Sequence, residues 1–439
     1  MRKIIQYMMM ALIAVVLASC ANDISEESTP TVKSNIRFVV DDFPMFEKPS
    51  TRTIGEEDKG KTAWAVGDEI CVKLESKELG TQTATLKYNG VKFELQDGNS
   101  LGYLEDEPVT AYAYYAPNRK WLNDGNLGYK DGEHDGTAEL LEATCTVHYG
   151  DDNYIDISFA TATRNYSRLR IATMPNKPIT VDINYFTPAG SSDMKWDQNY
   201  ALTSDEKGNA YLYGTFENNS EVTVKYREAP LKTYTFSQAT ESAKSYALDA
   251  TVVSLTDEGI TRDQIVENVK KELDAGKTYI NLMLAPDVDE ETLDAIHIGL
   301  REGGASQWSI NLTLIGCKKI PSGGFMYWKI LKSIALPDVT EIAEKAFLDC
   351  TGLQKVVLGN LTKVYGKAGE KGIFEGCRTK DIDLVLSKDQ KVMNGGKTEG
   401  GYCWTADIIK DYAGSDEHNS KEFLGYENFK SITCDYPVP

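Results

Sequence analysis

The sequence predicts a mainly β, multidomain chain in which two β-sandwich domains are followed by a short α/β solenoid of leucine-rich repeats. Two observations carry this. Short runs of alternating apolar and polar residues recur between residues 35 and 250 with no helical stripes between them. From residue 312 onward an apolar pattern then repeats every 22 positions. A third feature, an apolar leader at the N-terminus, bears on where the chain is delivered.

Arg2 and Lys3 precede a stretch from Ile4 to Leu17 that is apolar except for Gln6 and Tyr7. That is too short to span a bilayer as a helix, which needs about 20 apolar residues, and it reads as an export signal. Leu17-Ala18-Ser19-Cys20 resembles the bacterial lipobox. The resemblance implies a lipoprotein: cleavage before Cys20 and lipidation, palmitate included, at that residue. Ala21 in place of an aspartate implies onward transport to the outer membrane and display at the cell surface. Residues 1–19 are thus the expected signal peptide and 20–34 the tether, where Asp23, Glu26, Glu27 and Pro30 leave Ile24 as the sole large apolar residue before Val32. Several acyl chains on one cysteine anchor a protein stably, whereas one chain alone does not.

Removing residues 1–19 from the 439 leaves 45 Lys and Arg against 66 Asp and Glu, a formal charge of −21. Such a chain lacks the basic footprint of a nucleic-acid binder. With 41% apolar residues it has enough to bury full cores. Seven cysteines remain besides Cys20: Cys71, Cys145, Cys317, Cys350, Cys377, Cys403 and Cys434. An odd, scattered set is no disulfide framework, so buried thiols are expected.

The first sandwich is expected over 35–164. Ile70, Val72 and Leu74 alternate with Glu69, Lys73 and Glu75, and Leu86 and Tyr88 lead into Asn89-Gly90, after which Val91, Phe93 and Leu95 alternate out again. Thr110 to Tyr115 and Ile155 to Phe159 are further strands. The pattern restarts at Ser167 and runs through Ile179/Val181/Ile183, Tyr211/Tyr213, Val222/Val224 and Tyr234/Phe236, giving a second sandwich over 165–255.

Thr51-Arg52-Thr53 followed by Trp64-Ala-Val-Gly67-Asp68-Glu-Ile70-Cys-Val72 resembles the fimbrillin family of Gram-negative anaerobes, as do the aromatic strand at 111–117 and the restart at Ser167-Arg-Leu-Arg-Ile171. The resemblance covers roughly residues 35–250 and implies two fimbrillin-like sandwich domains. It also implies assembly with other fimbrial subunits by strand exchange after cleavage at an arginine near the first strand, for which Arg37 and Arg52 are the candidates. Trp64 itself reads as a core anchor and Gly67-Asp68 as a turn.

Residues 256–302 should form a mixed α/β cap. Thr261 with Gln264 makes a capping box, Ile265, Val266, Val269 and Leu273 form one helical stripe, and Leu293, Ile296 and Leu300 form another. The repeats follow in 303–439. Leu312, Leu314, Ile320 and Phe325 recur as Ile334, Leu336, Ile342 and Phe347, and the next copy has Val356, Leu358 and Val364. Gly366 to Lys371 is an insertion that moves Phe374 to 27 positions after Phe347. Such units bury their apolar sides only by stacking. Leu331 to Ile342 and Ala346 to Leu353 resemble the BspA-like leucine-rich repeat; Trp328 stands where Cys350 stands one repeat later. Cys350 and Cys377 share a repeat position, and Trp404, Phe423, Tyr426 and Phe429 should cover the far end.

No catalytic, metal or cofactor constellation is legible: there is no H-E-x-x-H, C-x-x-C or G-x-S-x-G. Gly395-Gly-Lys-Thr398 lacks the first glycine of a phosphate loop, because 391 is lysine. The acidic, glycine-rich run from Asp124 to Gly136 matches no calcium-loop spacing and reads as a solvated loop. These features point to a cell-surface adhesin or an accessory or tip component of fimbriae, binding a host protein or glycan through its repeats and catalysing nothing. The alternatives are a polymerising fimbrial subunit and a surface glycan-active enzyme. The solenoid is expected to supply the exposed recognition surface, with the 366–371 insertion and the tyrosine-bearing loops as the first candidates.

Overall fold

The computed structural model describes residues 32–34, 36–47, 60–104, 107–150, 153–159, 164–227, 229–253, 259–285, 288–307, 309–406 and 422–436. The leader, Cys20 and Arg52 lie outside them. Among the described residues strands dominate, with two α-helices, and three large apolar cores gather along the chain.

The first core lies under a sheet whose strands run in the order Arg37–Val40, Tyr154–Ser158, Leu141–His148, Thr110–Tyr115, Glu69–Ser76, Gly80–Tyr88, Phe93–Leu95. Every neighbouring pair is antiparallel except the first. The two end strands come back into contact, so the sheet curls over Ile70, Val72, Leu74, Leu86 and Ile157, all fully buried. Trp64 sits edge-on to Phe43, Phe93 and Tyr115 with centroids 4.9, 4.9 and 5.3 Å away, and its indole N–H donates to the Asp41 carbonyl at 2.7 Å. It is the anchor its sequence context suggests. Val91 is not: the Asn89 side chain accepts from the N–H groups of Val91 and Lys92, both at 2.9 Å, and this local turn lifts Val91 out of the ladder to 85% exposure.

The second core is formed by strands in the order Ala229–Thr235, Glu221–Tyr226, Pro178–Pro188, Asn209–Phe216, Ser167–Ala172, Ser245–Asp249, with Lys195–Thr203 also paired to Pro178–Pro188. The long strand changes partners, pairing Thr180 to Ile183 with Val222 to Lys225 and then Phe186 to Pro188 with Gly214 to Phe216. Tyr185 stands between the two ladders at φ 48° and makes that change of direction. Between the first two cores, Arg164 is buried against Glu139 and Pro44. Its Nε donates to Glu139 at 3.0 Å, and its guanidinium lies 3.8 Å from the Phe46 ring centroid. Burial pushes the Glu139 carboxyl upward, against the pull of Arg164.

The third core is enclosed by two sheets built from the 22-residue pattern. One is parallel throughout: Tyr279–Met283, Ile310–Ile315, Leu331–Leu336, Lys355–Leu358, Asp383–Ser387, Ser431–Tyr436. Leu312 pairs with Ile334, Ile334 with Val356, and Leu336 with Leu358. The other sheet brings Lys319–Ile320, Glu341–Ile342 and Lys363–Tyr365 side by side in parallel, closed by the antiparallel hairpin Asn394–Thr398 and Gly401–Thr405. Phe325, Phe347 and Phe374 stack face to face through the interior, with centroids 5.3 and 5.4 Å apart and planes 5° and 13° from parallel.

The helices Arg262–Asp274 and Glu290–Glu302 close one end. Gly299 and Gly303 let them approach: a Cβ on Gly299 would meet the Cβ of Val269 at 2.9 Å. The expected capping box does not form, because the Thr261 hydroxyl turns to the Gln264 side-chain oxygen, 3.0 Å away, instead of a backbone N–H. Asp289 does cap the second helix, accepting from the Thr292 N–H at 2.7 Å. His297 on that helix stacks on Trp328 at 4.7 Å, which explains the tryptophan at this repeat position: it covers the helical end. At the far end Tyr426 and Phe429 sit edge-on to Phe374, each 5.7 Å away.

Candidate binding surface

A parallel sheet of stacked coils has an outward row of side chains. Here the register aligns Asn281, Thr313, Ala335, Val357, Val385 and Thr433 along it. The first four are buried, because the strand Ala229–Thr235 of the second sheet lies across them. Asn281 donates to the Leu231 carbonyl at 3.0 Å and to the Thr251 carbonyl at 3.1 Å, and the Thr313 hydroxyl donates to the Pro230 carbonyl at 2.9 Å. Ala335 and Val357 pack on Ala229, with Val385 beside them. Ile315 and Met283, on the same face, belong to the second core. Most of this face is therefore an internal joint, pinned at its rim by the Arg227–Asp338 pair at 3.2 Å.

The 366–371 insertion is also held down. The Gly366 N–H donates to the Tyr402 carbonyl at 2.9 Å, the Trp404 indole donates to the Gly366 carbonyl at 2.8 Å, and the Gly369 N–H donates to Glu375 at 2.6 Å. Half-buried Tyr365, Tyr402 and Trp404 line the adjacent hairpin. Asn394–Thr398, which includes the Gly-Gly-Lys-Thr run, is a fully exposed strand of that hairpin and has no phosphate-loop geometry.

A further open region is a corner of the stack where each coil turns into the parallel sheet. The turns at Thr351–Gln354 and Arg378–Asp381, with Lys430 of the last coil, line a depression of about 350 Å³. Backbone bonds fix the steps: the Gln354 N–H donates to Lys332 at 2.8 Å, the Asp383 N–H to Gln354 at 2.9 Å, and the Lys430 N–H to Ile382 at 3.1 Å. Lys332, Gln354, Ile382 and Lys430 thus stand one above another along the coils, Ile382 buried and the other three exposed, with Arg378, Lys380 and Lys329 in the turns. Lys430 also pairs with Asp383 at 2.6 Å. Sequence reasoning missed these cations, because no motif marks them; only their repeat position does.

Of the expected processing arginines, Arg37 opens an end strand of the first sheet, exposed, with its guanidinium 5.1 Å from the Tyr154 ring centroid. The acids of the 124–136 loop are taken up locally. Asp135 pairs with Arg119 at 3.2 Å and Asp131 with Lys120 at 3.6 Å, while Gly136 accepts from the Tyr213 N–H of the second sheet. All seven described cysteines are free thiols. Cys350 donates to the Phe325 carbonyl at 2.9 Å and Cys377 to the Phe347 carbonyl at 3.0 Å, the same bond one coil apart. Burial pushes Cys350 up to about 12 and Cys377 higher still. Among the described residues no helix is long and apolar enough to cross a membrane.

Compared by sequence, the chain matches no family model and no curated protein. Among solved structures it is similar to the minor pilin GBS52 of Streptococcus agalactiae, at 10% identity over 49% of this chain and 93% of that one, with a TM-score of 0.18. It is also similar to the shaft pilin SpaA of Lactobacillus rhamnosus GG, at 9% identity over 51% of this chain and 98% of that one, with a TM-score of 0.20.

Proposed function

We propose that this protein is a lipid-anchored surface protein that binds a ligand outside the cell, as an adhesin or an accessory component of fimbriae. Its stacked coils are leucine-rich repeats, and its β half is fimbrillin-like. The observation that carries this reading is the coil stack itself. Repeated strands pair in register around a phenylalanine ladder, and such stacks present equivalent outward positions at regular intervals. The lipobox-like Leu17 to Cys20 supplies the anchor, and Ala21 after it the outer-membrane address. The polymerising-subunit alternative would need a free donor strand, and Ser431–Tyr436 is instead paired with Asp383–Ser387 in the parallel sheet.

The anchor is tested by expressing Cys20→Ala in the native host and fractionating the cells. The wild-type chain should sediment with the outer membrane and accept a membrane-impermeant surface label. The variant should be released or accumulate as an uncleaved precursor. Identical fractionation and gel migration of the two would contradict lipidation at Cys20.

A further inference from the structure

The coil region is neutral within an otherwise acidic chain. Residues 303–439 hold 17 Lys and Arg against 17 Asp and Glu, so the formal −19 lies in the rest of the chain. A region without net negative charge is the part of an acidic protein that repels an anion least. The coil geometry then gathers several of its cations at the open corner. Lys332 and Lys430 occupy equivalent positions three strands apart, about 14 Å at the usual strand spacing, with Arg378 and Lys380 in the turn between them. Within the depression, Arg378 and Lys430 stand with Thr351, Gln354 and Asp381.

We propose that this corner binds an anionic polysaccharide whose carboxylates meet Arg378 and Lys430 and whose hydroxyls are held by Thr351, Gln354 and Asp381. This deepens the reading that the coil stack is the binding part of the chain, and rests on it. A guanidinium matches a carboxylate in charge and in fork geometry. The neutral and acidic groups beside it match sugar hydroxyls, which both donate and accept. The volume is at the low end of ligand pockets and suits one or two sugar units. A nucleic acid fits worse. Its phosphates are far denser, about one charge per 1.7 Å of duplex, and the −19 of the flanking chain would repel them. Cations stepped along stacked coils instead suit a linear chain with widely spaced charges.

The test uses the full mature chain in detergent, with polygalacturonate as the carboxylated probe and dextran as the neutral one, followed by calorimetry at two salt concentrations. Polygalacturonate should bind, more weakly at high salt, and dextran should not. Arg378→Gln together with Lys332→Gln should weaken binding by roughly tenfold, about 1.4 kcal/mol, at an unchanged melting temperature. Lys430→Gln adds a second reading, and Lys77→Gln, remote in the first sheet, should change nothing. Equal binding of dextran, indifference to the corner variants, or tighter binding of a single-stranded oligonucleotide would each overturn the assignment. If the corner variants leave adherence to host cells intact, the glycan site is wrong while the surface-binding reading stands. If the wild-type chain confers no adherence at all, that broader reading is what fails.

Discussion

The hydroxyl of Thr313 donates to the carbonyl of Pro230 across 2.9 Å, joining the coil stack to the sheet that precedes it. With the two Asn281 bonds beside it, and Ala335 and Val357 under Ala229, it makes the outward face of the parallel sheet part of the interior.

Substitutions on that face should therefore behave as core substitutions. Val357→Lys puts an uncompensated charge into the joint and should cost about 3 kcal/mol or more. Thr313→Val leaves the Pro230 carbonyl without its donor and should cost about 1–2 kcal/mol. Denaturant unfolding of the full chain measures both. Losses under 0.5 kcal/mol for Val357→Lys would mean that the face is open to water.

The coil interior makes a second prediction. Leu336 and Leu358 are paired, fully buried equivalents, and truncating either to alanine should cost roughly 2–5 kcal/mol. Phe347, stacked on both sides, should lie in the same range on truncation, while exposed Lys319 in a neighbouring coil should tolerate alanine. A Phe347→Ala variant as stable as wild type would contradict the ladder.

The thiols give a third. Burial holds Cys350 protonated up to about 12, and Cys71 and Cys145 up to about 11, above an ordinary 9.0. A maleimide or disulfide reagent at pH 8 should label them slowly in the native chain and rapidly after denaturation. The sign for stability follows from the same shifts. Above pH 9 the unfolded chain releases these protons first, so stability should fall from there toward 12. Fast native labelling of Cys350 at pH 8 would show that the coil interior is open.

His297 gives a fourth, at acid pH. Burial against Trp328, with Arg301 nearby, holds its folded pKa below the ordinary 6.5. As pH falls below 6.5 the unfolded chain takes up that proton before the folded one, so stability is lost on acidification. His297→Phe keeps the stacking and removes the titration. Its melting temperature should fall less than that of wild type between pH 7 and 5. An equal fall in both would remove His297 from the account.

The repeat half was the more legible part of this sequence. A 22-residue spacing of Leu, Ile and Phe is visible without coordinates, because each coil must place its core residues at the same height. The joint left a trace that is easy to pass over. Ile334-Ala335-Leu336, Val356-Val357-Leu358 and Leu384-Val385-Leu386 are apolar without a break, as strands covered on both faces are. Alternation was legible in the β half, yet Val91 fell to a turn made by the Asn89 side chain, a competition that pattern alone does not register. The basic corner was the least legible feature. Lys332, Arg378 and Lys430 are ordinary surface residues until the coil register lines them up.

The central claim, that the chain is a surface-held binding protein, is tested most directly by adherence. A deletion strain of the native host would be complemented with the wild-type chain or with Cys20→Ala, and attachment to host cells counted for each. Deletion should lower attachment, the wild-type chain should restore it, and Cys20→Ala should not, even when expressed to the same level. Attachment unchanged by deletion, or restored equally by the unanchored variant, would contradict it.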